Sequence, residues 1–100
     1  METIRFVAGE LQFEWDAVKA AANRRKYGIS FEEAATAFVD PLARIFDDPD
    51  SHGEHRFLLV GVSAASRLLV VVHVERGQRL RIISARLATP RERFTLEAED

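Results

Sequence analysis

Leu68-Leu69-Val70-Val71-Val72-His73-Val74 is the stretch whose reading decides the fold. It is rich in β-branched residues, which favour a pleated strand. It is also apolar at both odd and even positions, so neither face of the strand is meant for water, and such a strand is central and covered on both sides. Working outward, Arg76-Gly77-Gln78 reads as a turn, and Arg79 to Arg86 as the next strand. On the other side Arg56 to Val62 reads as a strand and Leu42 to Phe46 as a short one. Between those two, Asp47-Asp48-Pro49-Asp50-Ser51-His52-Gly53 is polar turn chemistry. The expectation is an antiparallel meander of four strands from Leu42 to Arg86.

The N-terminal part reads as helices. Leu11-Gln12-Phe13-Glu14-Trp15 alternates apolar and polar, the period of an extended segment. Asp16 then caps a helix from Ala17 to Lys26, rich in alanine, with basic residues at its C-terminal end, where the macrodipole favours cations. Gly28 supplies the left-handed stop. Ser30-Phe31-Glu32-Glu33 is a capping box, with Glu33 expected to reach back to Ser30 and Ile29 to staple onto Ala34. Asp40-Pro41 ends this second helix. Thr89-Pro90-Arg91-Glu92 is another capping box and opens a short C-terminal helix. The fold class is therefore α+β: two N-terminal helices packed on a mainly antiparallel four-stranded sheet, then a short C-terminal helix. Residues 1–100 suit one domain.

Composition removes several functions. There is no cysteine, hence no disulfide framework and no thiolate metal site. No apolar run is long enough for a membrane span, and Met1-Glu2-Thr3-Ile4-Arg5 does not begin a signal peptide, so the expected address is the cytoplasm. The net charge of -2 argues against indiscriminate coating of nucleic acid. Charge is nevertheless uneven. Arg76, Arg79, Arg81, Arg86, Arg91 and Arg93 are opposed within their stretch only by Glu92. That pattern fits a localised anion site, and equally a strand edge kept soluble by long arginines. Glycine-rich phosphate loops, nucleophile elbows and zinc signatures are all missing.

The ordered motifs resemble the BrnT family. Phe13-Glu14-Trp15-Asp16 opens the match, followed by Lys19, Asn23 and Lys26-Tyr27-Gly28. Ser30 to Ala34, Asp40-Pro41, Glu54 and Arg56 come next. Arg81-Ile82-Ile83-Ser84-Ala85-Arg86 is the most recognisable block, with Ala88-Thr89 and Glu92-Arg93 after it. The resemblance implies a RelE-like fold and an endoribonuclease toxin of a type II toxin–antitoxin pair that inhibits translation. It also implies a BrnA-like ribbon-helix-helix antitoxin as partner, through which alone operator DNA would be bound. The sequence departs from the family's pattern at Tyr27, Leu87 and Leu96. These departures leave an alternative: a catalytically degenerate homologue that acts as a binding module or co-repressor.

Cleaving RNA without a metal or other cofactor needs a base, cations for the phosphate and an acid. Arginine pairs with phosphate oxygens through a planar fork and stays charged. Family position then suggests Arg86 and Arg56 for the scissile phosphate, Glu54 as base, and Lys26 or Arg81 for the developing charge. Arg79, Ser84, Arg91 and Arg93 are candidate RNA-binding residues. Read without the resemblance, Glu54 and Arg56 are a surface ion pair worth about 0–1 kcal/mol, and Ser84 is a hydroxyl satisfied by the backbone. Strict alternation places Arg81 opposite to Ser84 and Arg86, so a bulge is required if they are to share a face. His73 lies in the most apolar strand and reads as a core or edge histidine. His52 and His55 near Asp50 and Glu54 match no metal-ligand spacing. Phe13 and Trp15 read as core.

Overall fold

The computed structural model describes residues 2–93. Its elements run β1 (Thr3–Ala8), β2 (Leu11–Asp16), α1 (Ala17–Tyr27), α2 (Phe31–Thr36), a 3-10 turn (Ala37–Val39), β3 (Arg44–Asp47), β4 (Phe57–Val62), β5 (Leu68–Arg76) and β6 (Arg79–Leu87). Among the described residues the strands form one mixed sheet in the order β1-β2-β6-β5-β4-β3.

The meander from β3 to β6 is antiparallel throughout, as expected, and the connection of β5 to β6 is too short for any other pairing. The expected count of four strands is too low. The extended segment now seen as β2 joins the sheet, pairing with β6 in parallel through Gln12↔Arg79 and Glu14↔Arg81. β1 forms an antiparallel hairpin with β2 and extends the sheet further. β1 does alternate, with Ile4, Phe6 and Ala8 packing on the core, so its strand period was present in the sequence. The parallel pairing joins distant parts of the chain and leaves no local pattern.

One face of the sheet carries the main core. Phe13, Trp15, Leu59, Leu69, Val71, Ile82 and Ala85 meet Ile29, Phe31, Ala34, Ala35 and Ala37 from the helical segment. The opposite face holds a smaller cluster of Val60, Leu68 and Val70. β5 is thus buried on both sides, Leu69 and Val71 one way and Leu68 and Val70 the other. Gly61 lets the 3-10 turn lie on β4: a Cβ there would stand 2.7 Å from the Ala37 carbonyl oxygen.

A bulge sets which side chains share a face. Val72 pairs with Ser84 but His73 pairs with Ile82, leaving Ile83 as the extra residue. Ile82 and Ala85 both therefore face the helices, although an odd spacing separates them. Arg81, Ser84 and Arg86 consequently share the other face, which strict alternation forbids.

Local chemistry fixes the helices. Asp16 accepts the Val18 N–H at 3.3 Å, and Gly28 closes α1 with φ 72°. Asn23 is the one buried residue of α1. Its Nδ2 donates to the carbonyls of Ile29 (3.0 Å) and Ala85 (2.9 Å), and its Oδ1 accepts the Ala85 N–H at 3.1 Å. Ser30 accepts the Glu33 N–H at 3.0 Å, the expected half of its capping box. The other half does not form. The Glu33 carboxylate instead takes Arg67 Nε at 2.9 Å, Arg67 Nη2, and the Ser63 hydroxyl at 2.7 Å. Arg67 holds the Glu33 pKa below its usual value, and an ion pair with several donors is the stronger partner than one backbone N–H. The second box is complete: Glu92 N–H donates to Thr89 Oγ1 (3.1 Å), and Thr89 N–H to Glu92 Oε1 (2.7 Å). Residues 90–93 form a helical turn, and the rest of the expected C-terminal helix lies outside the described residues.

Replacing Asn23 by Leu removes three hydrogen bonds and strands the buried N–H and C=O of Ala85. We expect a loss of about 2–4 kcal/mol, read as a lower urea midpoint with an unchanged slope.

Candidate functional site

The face of the sheet away from the helices gathers the arginines. Arg76 and Arg79 are register partners, and Arg81 stands opposite Val74. Arg86 stands opposite Val70, which pairs in turn with Val60 and so with Arg44. Arg5 lies across from Glu14, the register partner of Arg81. Two groups form along this face. Val70 and Arg76, six positions apart on β5, mark their separation, roughly 20 Å at about 3.3 Å per residue.

The first group sits at the β5–β6 turn. Glu54 pairs with Arg76 at 2.9 Å, and Glu14 with Arg81 at 2.6 Å. Arg79 and Arg5 line a cavity of about 270 Å³ together with Gln12. Arg56 precedes β4 immediately and is anchored by its N–H to Ser51 Oγ at 3.0 Å. The expected pairing of Glu54 with Arg56 is replaced by Glu54 with Arg76, because Glu54 lies in the loop that folds back toward the end of β5.

The second group sits at the far end of β6. Both terminal nitrogens of Arg86 grip the Glu92 carboxylate, at 2.8 and 2.9 Å. Donation from Arg86 lowers the Glu92 pKa to about 2, and the same pair raises that of Arg86, with Tyr27 acting in the same direction. Lys26 Nζ lies 5.1 Å from the centre of the Tyr27 ring. Glu92 is therefore ionised at neutral pH and makes a poor proton acceptor.

The sequence-predicted set is thus divided. Glu54, Arg56, Arg79 and Arg81 are at one end, and Arg86 and Lys26 at the other. Ser84 lies between them on the same face. Arg91 and Arg93 are exposed on the helical turn beside Arg86. Leu87 is half-exposed at the end of β6, and Leu96 lies outside the described residues. Arg76, Arg81 and Arg86 already hold an acid. Glu14 and Asn23 stood in the motif match without a role, and Arg67 was not singled out, since each meets a partner far away in the chain. Among the described residues no histidine and acid cluster is arranged to hold a metal ion.

Residues 15–92 match the family described as the ribonuclease toxin, BrnT, of type II toxin–antitoxin systems. The chain belongs to the BrnT family. Comparison with curated proteins gave no match. The matched span starts at Trp15 and ends at Glu92, so it takes in Arg56, Arg76, Arg79, Arg81 and Arg86 and leaves β1 with Arg5, and also Glu14 and Arg93, outside. As a family of type II systems, BrnT toxins have a protein antitoxin as partner. No helix among the described residues is long and apolar enough to cross a membrane.

The one strand histidine of this BrnT chain is structural. His73 is buried, with its Nδ1 3.2 Å from the Val71 carbonyl and its ring edge-on to Phe38. Burial lowers its pKa from 6.5. The unfolded chain therefore binds a proton that the folded chain refuses as pH falls. This contribution to stability is complete above about 6.5 and is lost as pH drops through the folded value. His73→Phe should flatten the decline in urea midpoint between about pH 7 and 5.

Proposed function

We propose that this BrnT chain is a metal-independent endoribonuclease whose arginine face binds the RNA backbone, and that its cleavage site is the group at the β5–β6 turn. The pairing of Glu54 with Arg76 carries this reading, because it joins a carboxylate to a cation at the end where Arg56, Arg79 and Arg81 also lie. In this reading Glu54 takes the 2′-hydroxyl proton, the freed 2′-oxygen bonds to phosphorus to close a 2′,3′-cyclic phosphate, and the 5′-oxygen leaves, taking a proton from water. Arg56 and Arg76 hold the scissile phosphate, and Arg79 and Arg81 stabilise charge as it develops. Arg86, Lys26, Ser84, Arg91 and Arg93 grip the backbone further along the strand. Cutting RNA in the cytoplasm inhibits translation. The arrangement of helices on one sheet face suits a RelE-like fold.

The antitoxin in this reading is a BrnA-like ribbon-helix-helix protein, which alone brings operator DNA to the complex. Its apolar segment covers the groove of about 490 Å³ between β1 and the 3-10 turn, flanked by exposed Val7, Val39 and Val62. The second reading, a binding module that has lost catalysis, draws on Tyr27 and Leu87 and on the acids already bound to Arg76, Arg81 and Arg86.

Steady-state cleavage of a short RNA in EDTA tests both. Glu54→Gln and Arg56→Ala should lower kcat about 10²–10³-fold with little change in KM. Arg86→Ala should raise KM about tenfold with kcat nearly intact. If Arg86→Ala instead abolishes kcat, the cleavage site moves to the Tyr27 end. A wild-type chain that cuts nothing while still binding its antitoxin establishes the second reading.

A further inference from the structure

Behind the β5–β6 turn, on the helix side of the sheet, a cavity of about 230 Å³ is lined by Phe38, Ile45, Phe57, His73, Glu75 and Leu80. From this pocket we infer a subsite for one unpaired guanine base of the RNA, an inference that rests on the ribonuclease reading above.

The lining selects for a planar ligand. The Phe57 and His73 rings lie 28° from parallel with centres 5.8 Å apart, and Phe38 closes the pocket edge-on. His55 stacks on Phe57 at 4.5 Å and 12°, and its Nε2 lies 2.9 Å from Asp47 Oδ1, which steadies that wall. Aromatic surfaces of this kind take nucleobases by stacking. The volume falls below the range of about 300–1,000 Å³ usual for drug-sized ligands, so a single base suits it better than a whole nucleotide.

The polar rim selects among bases. Glu75 is the one acid of the lining, and His73 beside it is kept neutral by burial. A carboxylate repels phosphate and accepts N–H donors. Guanine presents two adjacent donors on its pairing edge, its ring N–H and its amino group, which match the two carboxylate oxygens. Adenine and cytosine each place a ring nitrogen acceptor next to the amino group. Uracil flanks its single N–H with carbonyls. Those acceptors would face Glu75 unfavourably.

The backbone of the same RNA has a place to lie. Four lining residues are sequence neighbours of arginines: Ile45 follows Arg44, Phe57 follows Arg56, Glu75 precedes Arg76, and Leu80 follows Arg79. Strand alternation sends neighbours to opposite faces. A chain crossing the end of the sheet therefore sets phosphates on the arginine face and turns one base over the edge into the pocket.

The test uses the full chain and short RNAs carrying one guanosine, or inosine in its place, which lacks only the amino group. Cleavage kinetics are read together with binding by fluorescence anisotropy. Inosine should raise the wild-type KM about tenfold, and Glu75→Gln, an exposed and conservative change, should bring that ratio to within about twofold. Ile45→Trp, at the exposed rim, should fill the pocket and abolish the same preference. Cleavage with no preference for guanosine, or a preference that survives in Glu75→Gln, overturns the subsite and leaves the ribonuclease reading standing. Binding that prefers guanosine without any cleavage supports the subsite and overturns the ribonuclease reading. A chain that neither cuts nor binds these RNAs overturns both.

Discussion

The carboxamide of Asn23 is the contact on which the architecture turns. β2 leaves the sheet at Asp16 to become α1, so the upper half of β6 loses its neighbour on that side. The Ala85 N–H and C=O would then be buried without partners, which a folded chain rarely tolerates. Asn23 meets both with one side chain and spends its remaining donor on Ile29. That side chain thereby fixes α1 against β6, the turn into α2, and the residue that follows Ala85. Arg86 owes its position to an amide on the opposite side of the sheet. Helix α1, with a single buried residue, has little apolar grip of its own.

The bulge at Ile83 has a comparable reach in electrostatics. Without it the arginines of β6 would divide between core and solvent. With it they form a basic row on a protein whose net charge is -2. The row is held in place by acids drawn from three different regions: Glu14 from β2, Glu54 from the β3–β4 loop and Glu92 from the C-terminal turn. Each pair lies partly in solvent, where such contacts stabilise the fold only slightly. Their larger effect is to order long side chains that would otherwise point in many directions, leaving the guanidinium forks oriented.

Much of this was legible in the sequence, and the rest was hidden for physical reasons. Leu68 to Val74 announced a doubly covered strand, and Asp16, Gly28 and Ser30 marked helix boundaries, because each works through neighbours in the chain; α2 instead ends at Thr36, and a 3-10 turn carries the chain on to Asp40, where the helix was expected to stop. The parallel contact of Gln12 with Arg79 was not legible, since parallel strands are joined by long connections that leave no local period. Nor was the fate of Glu33, whose spacing from Ser30 promised a capping box but whose carboxylate found Arg67 instead. For the candidate site, the residue types were readable and their grouping was not. Glu54 and Arg56 are close in sequence, yet Glu54 binds Arg76, and Arg86 stands roughly 20 Å along the sheet.

The pairing of β2 with β6 also orders events in time. Strands from opposite ends of the chain must meet before the sheet closes, and closing so long a loop is entropically costly until the contacts around it exist. A chain still emerging from the ribosome has α1, α2 and β4 but no β6. It lacks the row of arginines, and it lacks the backbone that Asn23 is shaped to hold. The basic face is complete only once β6 has paired, so a chain synthesised as far as β5 carries no full row of arginines.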